Sequence, residues 1–413
     1  MIFTALSPNT QKDDFDIARR LVFKPQDYEN GAEIEELRTW FASTLDVMSV
    51  VLYESARTGL FFLLKELGVG KGDEVVLQAF TCVAAVNPIK WTGAKPIYVD
   101  VNPGTYNLDL NDLANKVNER TKAILVQHTF GYPAEIEKIL DFAKTNGLFI
   151  IEDCAHTIGG MLKGKPLGSF GDGAVFSLGR DKGISSSFGG VVATKRKLLG
   201  QKLIGQEKFL AYPSKSWIRK QLLYTVTSFL TRKYYDTLSL GKLIHLISFK
   251  LGLVSRSTEQ VEKRTGAFPR HAKSRMPNAF AKTALNQLHK LETINLSRLK
   301  ISRLYMKSLA GISGVKLPGW ELADGIFPLR FPLLVEKRDE LVEYLSSRGV
   351  LAGDWYDVPV APKDVDLLAA SYQQGSCPNA ESVSRSVVNL PVNVNMSESD
   401  TEKVIRLVRG FFG

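Results

Sequence analysis

Between residues 74 and 193, short runs rich in apolar and β-branched residues recur at 74–77, 96–99, 123–126, 148–151, 174–177 and 191–193. Helical spacing separates several of them, as at 136–144. Strands alternating with helices predict an α/β fold whose largely parallel sheet is covered by helices on both faces. In such sheets, chemistry gathers at the carboxyl ends of the strands. Further on, 278–310 reads as one long helix with Phe280, Ala284, Leu288 and Leu291 on one face. A strand at 327–334 and helices at 339–348 and 401–411 predict a smaller C-terminal α+β domain. The expected division is an N-terminal arm at 1–30, a large domain at 31–277, and the long helix with the small domain at 278–413.

Two predicted strand ends carry complementary groups. The run at 148–151 leads into Glu152, Asp153, Cys154, Ala155 and His156, and the run at 174–177 leads into a loop holding Arg180, Asp181 and Lys182. His128 stands after a third run. A lysine alone in such a loop reads as a solvated charge, and an aspartate after a strand reads as a turn or helix cap. Together they are the amine and carboxylate that pyridoxal phosphate chemistry requires. The amine joins the cofactor aldehyde, and the carboxylate keeps the pyridine nitrogen protonated. Ser177, five positions before Lys182, offers a hydroxyl to a phosphate. Ala56, Arg57 and Thr58 open a helical pattern, and a helix start presents free N–H groups and a positive dipole end to anions. The side chain of Arg57 would add a full charge.

Along most of its length the chain resembles the DegT/DnrJ/EryC1/StrS aminotransferases, which are fold-type I pyridoxal phosphate enzymes. The resemblance runs through Gly72-Asp73-Glu74-Val75-Val76, Gly93-Ala94-Lys95-Pro96, His128-Thr129-Phe130-Gly131, Ile151-Glu152-Asp153, Gly168-Ser169-Phe170-Gly171-Asp172, Arg275-Met276-Pro277 and Cys377-Pro378-Asn379-Ala380-Glu381. It implies that Lys182 is the Schiff-base lysine and Asp153 the pyridinium partner, with Ser177 and Ala56-Arg57-Thr58 as phosphate ligands. It also implies a homodimer, glutamate as amino donor and a nucleotide-linked keto-sugar as acceptor, in the biosynthesis of polysaccharide or other glycan. Three positions depart from the family pattern. His156 stands where glutamine usually touches the cofactor's ring hydroxyl, and a neutral imidazole can donate the same bond. Cys82 replaces the aromatic residue that stacks on the ring. Lys273 replaces an asparagine that reaches the partner subunit's phosphate, a contact lysine can make as a point charge.

Other readings have less support. Sugar dehydratases of this group carry histidine in place of the lysine, so Lys182 counts against dehydration. A cysteine desulfurase using Cys377 would have histidine directly before the lysine, where Asp181 stands. The joint presence of Asp153 and Lys182 argues against a non-catalytic binding or regulatory relative. Five histidines, with no pair four apart, give no metal site. The net charge of +10 is unaccompanied by any nucleic-acid-binding motif, and anionic ligands explain it. Three scattered cysteines, and a first segment without a basic region or long apolar core, lead us to expect a cytoplasmic protein without a signal peptide.

From Lys182 to Lys273 is 91 positions (273 − 182), more than the family usually takes, and the excess falls near 210–262. This segment carries Trp217, Ile218, Leu222, Val226 and Phe229, then Leu240, Leu243, Ile244, Ile247 and Leu251, at helical spacing with mostly basic flanks. Two amphipathic helices are expected. Their charges leave no apolar run near the ~20 residues of a membrane span. The helices have three candidate roles: packing on the core or dimer interface, lying on an anionic membrane surface with Trp217 and Phe229 inserted, or covering a large substrate.

Overall fold

The computed structural model describes residues 1–413. Seven strands form the central sheet: β1 (Ser49–Tyr53), β2 (Glu74–Gln78), β3 (Lys95–Val99), β4 (Thr121–Gln127), β5 (Phe149–Asp153), β6 (Gly173–Ser177) and β7 (Gly190–Thr194), in the order β1-β7-β6-β5-β4-β2-β3. β7 pairs antiparallel with both neighbours, and the other pairs are parallel. Side chains alternate along each strand, yet both faces are apolar. Val51, Leu125, Ile151, Val175 and Val192 point into one core, while Val50, Leu52, Ala174, Phe176 and Val191 point into another. All six expected strands are present. β1 is a seventh.

Eight helices matter for the site and its surroundings: α1 (Lys12–Val22), α2 (Ala56–Glu66), α3 (Lys215–Lys233), α4 (Leu240–Lys250), α5 (Asn278–Leu288), α6 (Leu291–Leu309), α7 (Arg338–Ser347) and α8 (Glu398–Phe412). The expected long helix is two helices, α5 and α6, parted at His289 and Lys290. No proline or glycine marks the break. Lys290 leaves helical geometry (φ −105°, ψ 3°), and its ammonium is drawn to Asp13 and Asp14 in the first turn of α1, at 2.8 and 2.9 Å.

The C-terminal region folds as a three-stranded antiparallel sheet of β8 (Val315–Lys316), β9 (Phe331–Val335) and β10 (Val387–Leu390), in that order. It packs on α6, α7 and α8 through residues such as Tyr305, Leu341, Leu345 and Val404. β9 starts later than the expected 327–334. Pro328 has no N–H for a ladder, and the next amide, of Leu329, donates to Phe130 O at 2.7 Å instead. Residues 327–330 thus run against the large sheet's loops. The first residues of the chain, Ile2–Phe3, pair in parallel with Val350–Leu351.

Both helices expected in the insert are present. α3 buries Ile218 and Leu222 in the second core and packs on α1. Trp217 and Phe229, the side chains that one of the three candidate roles would insert in a membrane, are half-buried and packed against other parts of the chain. Trp217 stacks on His271 (4.3 Å between ring centres), and Phe229 lies against Phe15 (4.9 Å). α4 folds back onto α3 so closely that a Cβ at Gly241 would come within 2.2 Å of Thr231 O. No helix is long and apolar enough to cross a membrane.

Candidate active site

The carboxyl ends of β4, β5 and β6 place Gln127, Asp153 and Ser177 on one wall of a cavity of about 660 Å³. The loop after β6 brings Lys182 to the same wall, and the start of α2 brings Ala56 and Arg57. Gly190 allows that approach, since a Cβ there would lie 2.1 Å from Ala56 N. Cys82 and His156 complete this part of the lining.

His156 and Lys182 constrain each other's protonation. His156 Nδ1 accepts a hydrogen bond from the Phe130 N–H at 3.2 Å. Burial, more than the nearby Lys182 charge, holds the imidazole well below its ordinary pKa, so it is neutral. A neutral ring whose Nδ1 accepts carries its proton on Nε2. That Nε2–H stands 3.1 Å from Lys182 Nζ and 3.4 Å from Tyr356 Oη, and it can donate to the hydroxyl or to the amine when the amine has a free lone pair. Burial likewise pushes the Lys182 pKa down, which favours the uncharged, nucleophilic amine.

Asp153 shows the opposite shift. Burial raises its pKa, outweighing the bond its Oδ1 accepts from Ala155 N at 3.0 Å. It forms no ion pair within the chain and faces the cavity, so it suits a cationic N–H partner. At the other end, the first amides of α2, those of Ala56 and Arg57, have no acceptor within their helix. Ser177 Oγ accepts at most a long bond from Gly179 N (3.4 Å), which leaves its hydroxyl hydrogen free to donate. An anion-binding helix start, a carboxylate without an ion pair and a buried amine with a lowered pKa in one bay fit pyridoxal phosphate.

Three expected ligands sit differently. Thr58 does not line the cavity: its amide donates to the capping Ser55 Oγ (3.3 Å) and its hydroxyl to Glu54 Oε1 (2.6 Å). Arg57 lines it, but its guanidinium is paired with Glu262 and donates to Ser257 O (3.0 Å), so its charge is already balanced. Lys273 lies outside the chain's own cavity, with its ammonium over the Phe268 ring at 3.8 Å. Burial raises the pKa of Cys82, and its sulfur accepts from Ala84 N at 3.5 Å, capping the following helix.

Several lining residues were not anticipated from the sequence. Trp355 and Tyr356 come from the C-terminal region. Lys182 Nζ lies 4.8 Å from the Trp355 ring centre, and Tyr356 Oη is 3.4 Å from His156 Nε2. No periodicity marks this pair. The insert supplies a second wall through Tyr224, Phe249, Arg256 and Ser257. Two buried arginines fasten it. Besides the Arg57–Glu262 pair, Arg180 bonds Gln221, donates to Ser255 O (2.7 Å) and stacks over Tyr224 (3.7 Å). Glu152, beside Asp153, is structural. It accepts from the amides of Gly168, Phe170 and Gly171 at 2.7–2.9 Å and pairs with His128. Glu152, His128 and Cys154 lie close enough to share a metal, but these bonds already occupy the carboxylate.

The model of the DegT/DnrJ/EryC1/StrS aminotransferase family matches residues 10–220 and 242–409. The unmatched stretch covers most of α3 and the turn into α4. GDP-perosamine synthase of Escherichia coli O157:H7 is 38% identical over 169 residues, which are 41% of this chain and 46% of that protein, so the match spans less than half of that relative. Among solved structures, a DegT DnrJ EryC1 StrS aminotransferase from Brucella abortus is 25% identical with a TM-score of 0.75, covering 97% of this chain and 96% of that one. DesV from S. venezuelae, solved in complex with a ketimine intermediate, is 26% identical with a TM-score of 0.73, covering 97% and 94%.

Proposed function

Since the chain belongs to the DegT/DnrJ/EryC1/StrS aminotransferase family, we propose that it is a pyridoxal phosphate-dependent enzyme that moves an amino group from glutamate to a nucleotide-linked keto-sugar in glycan biosynthesis. The observation that carries this reading is the bay in which the buried amine of Lys182, the imidazole of His156 and the unpaired Asp153 converge. The cofactor, when bound, supplies a reactive aldehyde carbon and an electron-withdrawing ring.

The chain's own groups then have distinct tasks. Lys182 would be the nucleophile that anchors the cofactor, and burial favours its uncharged form. Once freed by the donor's amine, it would move a proton to and from the donor's α-carbon. His156 would offer Nε2–H to the ring hydroxyl, because the Phe130 amide fixes its tautomer. Asp153 would hold the ring-nitrogen proton. The amides of Ala56 and Arg57 and the hydroxyl of Ser177 would hold the phosphate. Trp355 and Tyr356 close the lysine side against water.

The proposed working unit is a homodimer in which Lys273 leaves Phe268 to reach the partner's phosphate. The division into an arm at 1–30, a large domain at 31–277 and a small domain from 278 onward is supported by the separate apolar core of the C-terminal region. The cytoplasm is the proposed location, and a membrane-peripheral position within it draws on the outer face of α4. The perosamine-forming relative supports a sugar acceptor. The test is an absorption spectrum of the purified protein before and after glutamate, with borohydride trapping and peptide mapping. Label should appear on the peptide containing Lys182, and Lys182→Ala should abolish turnover of keto-sugars while keeping the fold. A fully active Lys182→Ala variant would end this reading.

A further inference from the structure

α4 is apolar on a side that nothing in the chain covers. Its inner face, with Gly241 and Ser248, is buried against α3, and Phe249 reaches the cavity. On its outer face Leu240, Leu243, Leu246, Ile247 and Leu251 are exposed, Leu246 at 62% and Leu251 at 67%. Leu238 and Leu253 extend this strip at either end and are exposed as well. Large contiguous apolar strips on a protein surface mark a contact with something else.

The charges beside the strip identify the occupant. Lys233, Lys242 and Lys250 flank or interrupt it, and no Asp or Glu occurs from 237 to 258. The nearest carboxylate, Asp236, is paired with the N-terminal ammonium at 2.7 Å. Lysines beside leucines can lay their stems along apolar surface and carry their charge to headgroup level. A second copy of the chain is a poorer partner. A two-fold contact across α4 would bring the same cations face to face. An acidic surface with an apolar layer beneath it satisfies both features, and 11 residues are enough to lie in such an interface but not to span it.

We infer that the outer face of α4 docks the enzyme on an anionic lipid surface. α3 is the packed base of this device, which is why Trp217 and Phe229 are turned inward. Because Phe249 belongs to the same helix, one wall of the cavity lies directly behind the docked face. The inference rests on the cytoplasmic placement proposed above and not on the reaction, so docking and turnover can fail separately.

The test uses the full chain in co-sedimentation with phosphatidylcholine vesicles, either pure or containing about one third phosphatidylglycerol. Binding should be at least about tenfold stronger to the anionic vesicles and should weaken at high salt. Combined Leu243→Gln, Leu246→Gln and Ile247→Gln should abolish it, with an unchanged melting temperature, subunit number and turnover of soluble substrate. Lys242→Glu with Lys250→Glu should weaken binding without unfolding, and Trp217→Ser should lower the melting temperature. Absence of binding to anionic vesicles at low salt would overturn the inference, as would undiminished binding by the triple-glutamine variant. A triple variant that changes subunit number, with no effect on vesicles, would show that the face joins copies of the chain.

Discussion

Replacing Glu54 with glutamine should remove a loss of stability that develops as pH rises from about 4.5 to about 8. Glu54 follows β1 directly and lies fully buried beneath the start of α2. Its carboxyl accepts from Ser55 Oγ (3.0 Å), Thr58 Oγ1 (2.6 Å) and Ser274 N (3.1 Å), but burial dominates and pushes its pKa up to about 8 from an ordinary 4.5. The folded state therefore holds this proton across a window in which the unfolded chain releases it. The stabilisation is complete below the unfolded value and is lost as pH rises through about 8. A shift of this size corresponds to at most about 5 kcal/mol, and relaxation around the charged form would reduce it to a few. Glutamine mimics the protonated acid, since the two hydroxyls can reverse and accept from its amide. Urea denaturation of both proteins from about pH 5 to about pH 9 reads the effect. The native protein should lose stability relative to Glu54→Gln across that range. Parallel curves would show that Glu54 is already charged when folded, and that the α2 start sits over an anion.

Three other outcomes follow from the site. His156→Gln should keep most turnover, because an amide donates as the imidazole does, whereas His156→Phe should lose about 10²-fold. Steady-state rates of the two variants beside their cofactor spectra check this. Glu262→Gln leaves Arg57 buried without its counter-charge and should cost about 3–5 kcal/mol, with early proteolysis at 255–265 in a limited digest. If Lys273 completes the partner's site, mixing inactive Lys182→Ala with impaired Lys273→Ala subunits should restore activity in verified mixed dimers.

The sheet was legible because each of its central strands is a compact apolar run between helices, and two-sided burial leaves that signature in the residues themselves. Strand ends then pointed to Asp153, Ser177 and the Lys182 loop without any knowledge of the side chains around them. Other features depend on distant partners. The separation of α5 from α6 follows a lysine drawn to Asp13 and Asp14, residues that stand far away in the chain. Thr58 sits where a phosphate ligand was expected, but its amide and hydroxyl are taken by Ser55 and Glu54, which spacing does not reveal. Arg57 offered a free charge on paper, yet Glu262 from the insert neutralises it. Trp355 and Tyr356 lie in an irregular stretch, and only tertiary folding brings them to His156. The amphipathic spacing of the insert foretold two helices but not which face each would bury.

The lysine loop is held from both ends of the polypeptide. Ser7 N donates to Asp181 Oδ1 at 2.8 Å and Asn9 N to Ser185 Oγ at 3.2 Å, while Tyr356 closes the bay from a segment made late in synthesis. During translation, the sheet and its lysine emerge long before the aromatic wall that shelters them. A nascent chain thus holds its amine in open water, where it is mostly protonated. The burial that lowers its pKa is complete only when the last quarter of the chain has docked and Trp355 lies over it, so completion of the fold and readiness for the cofactor go together.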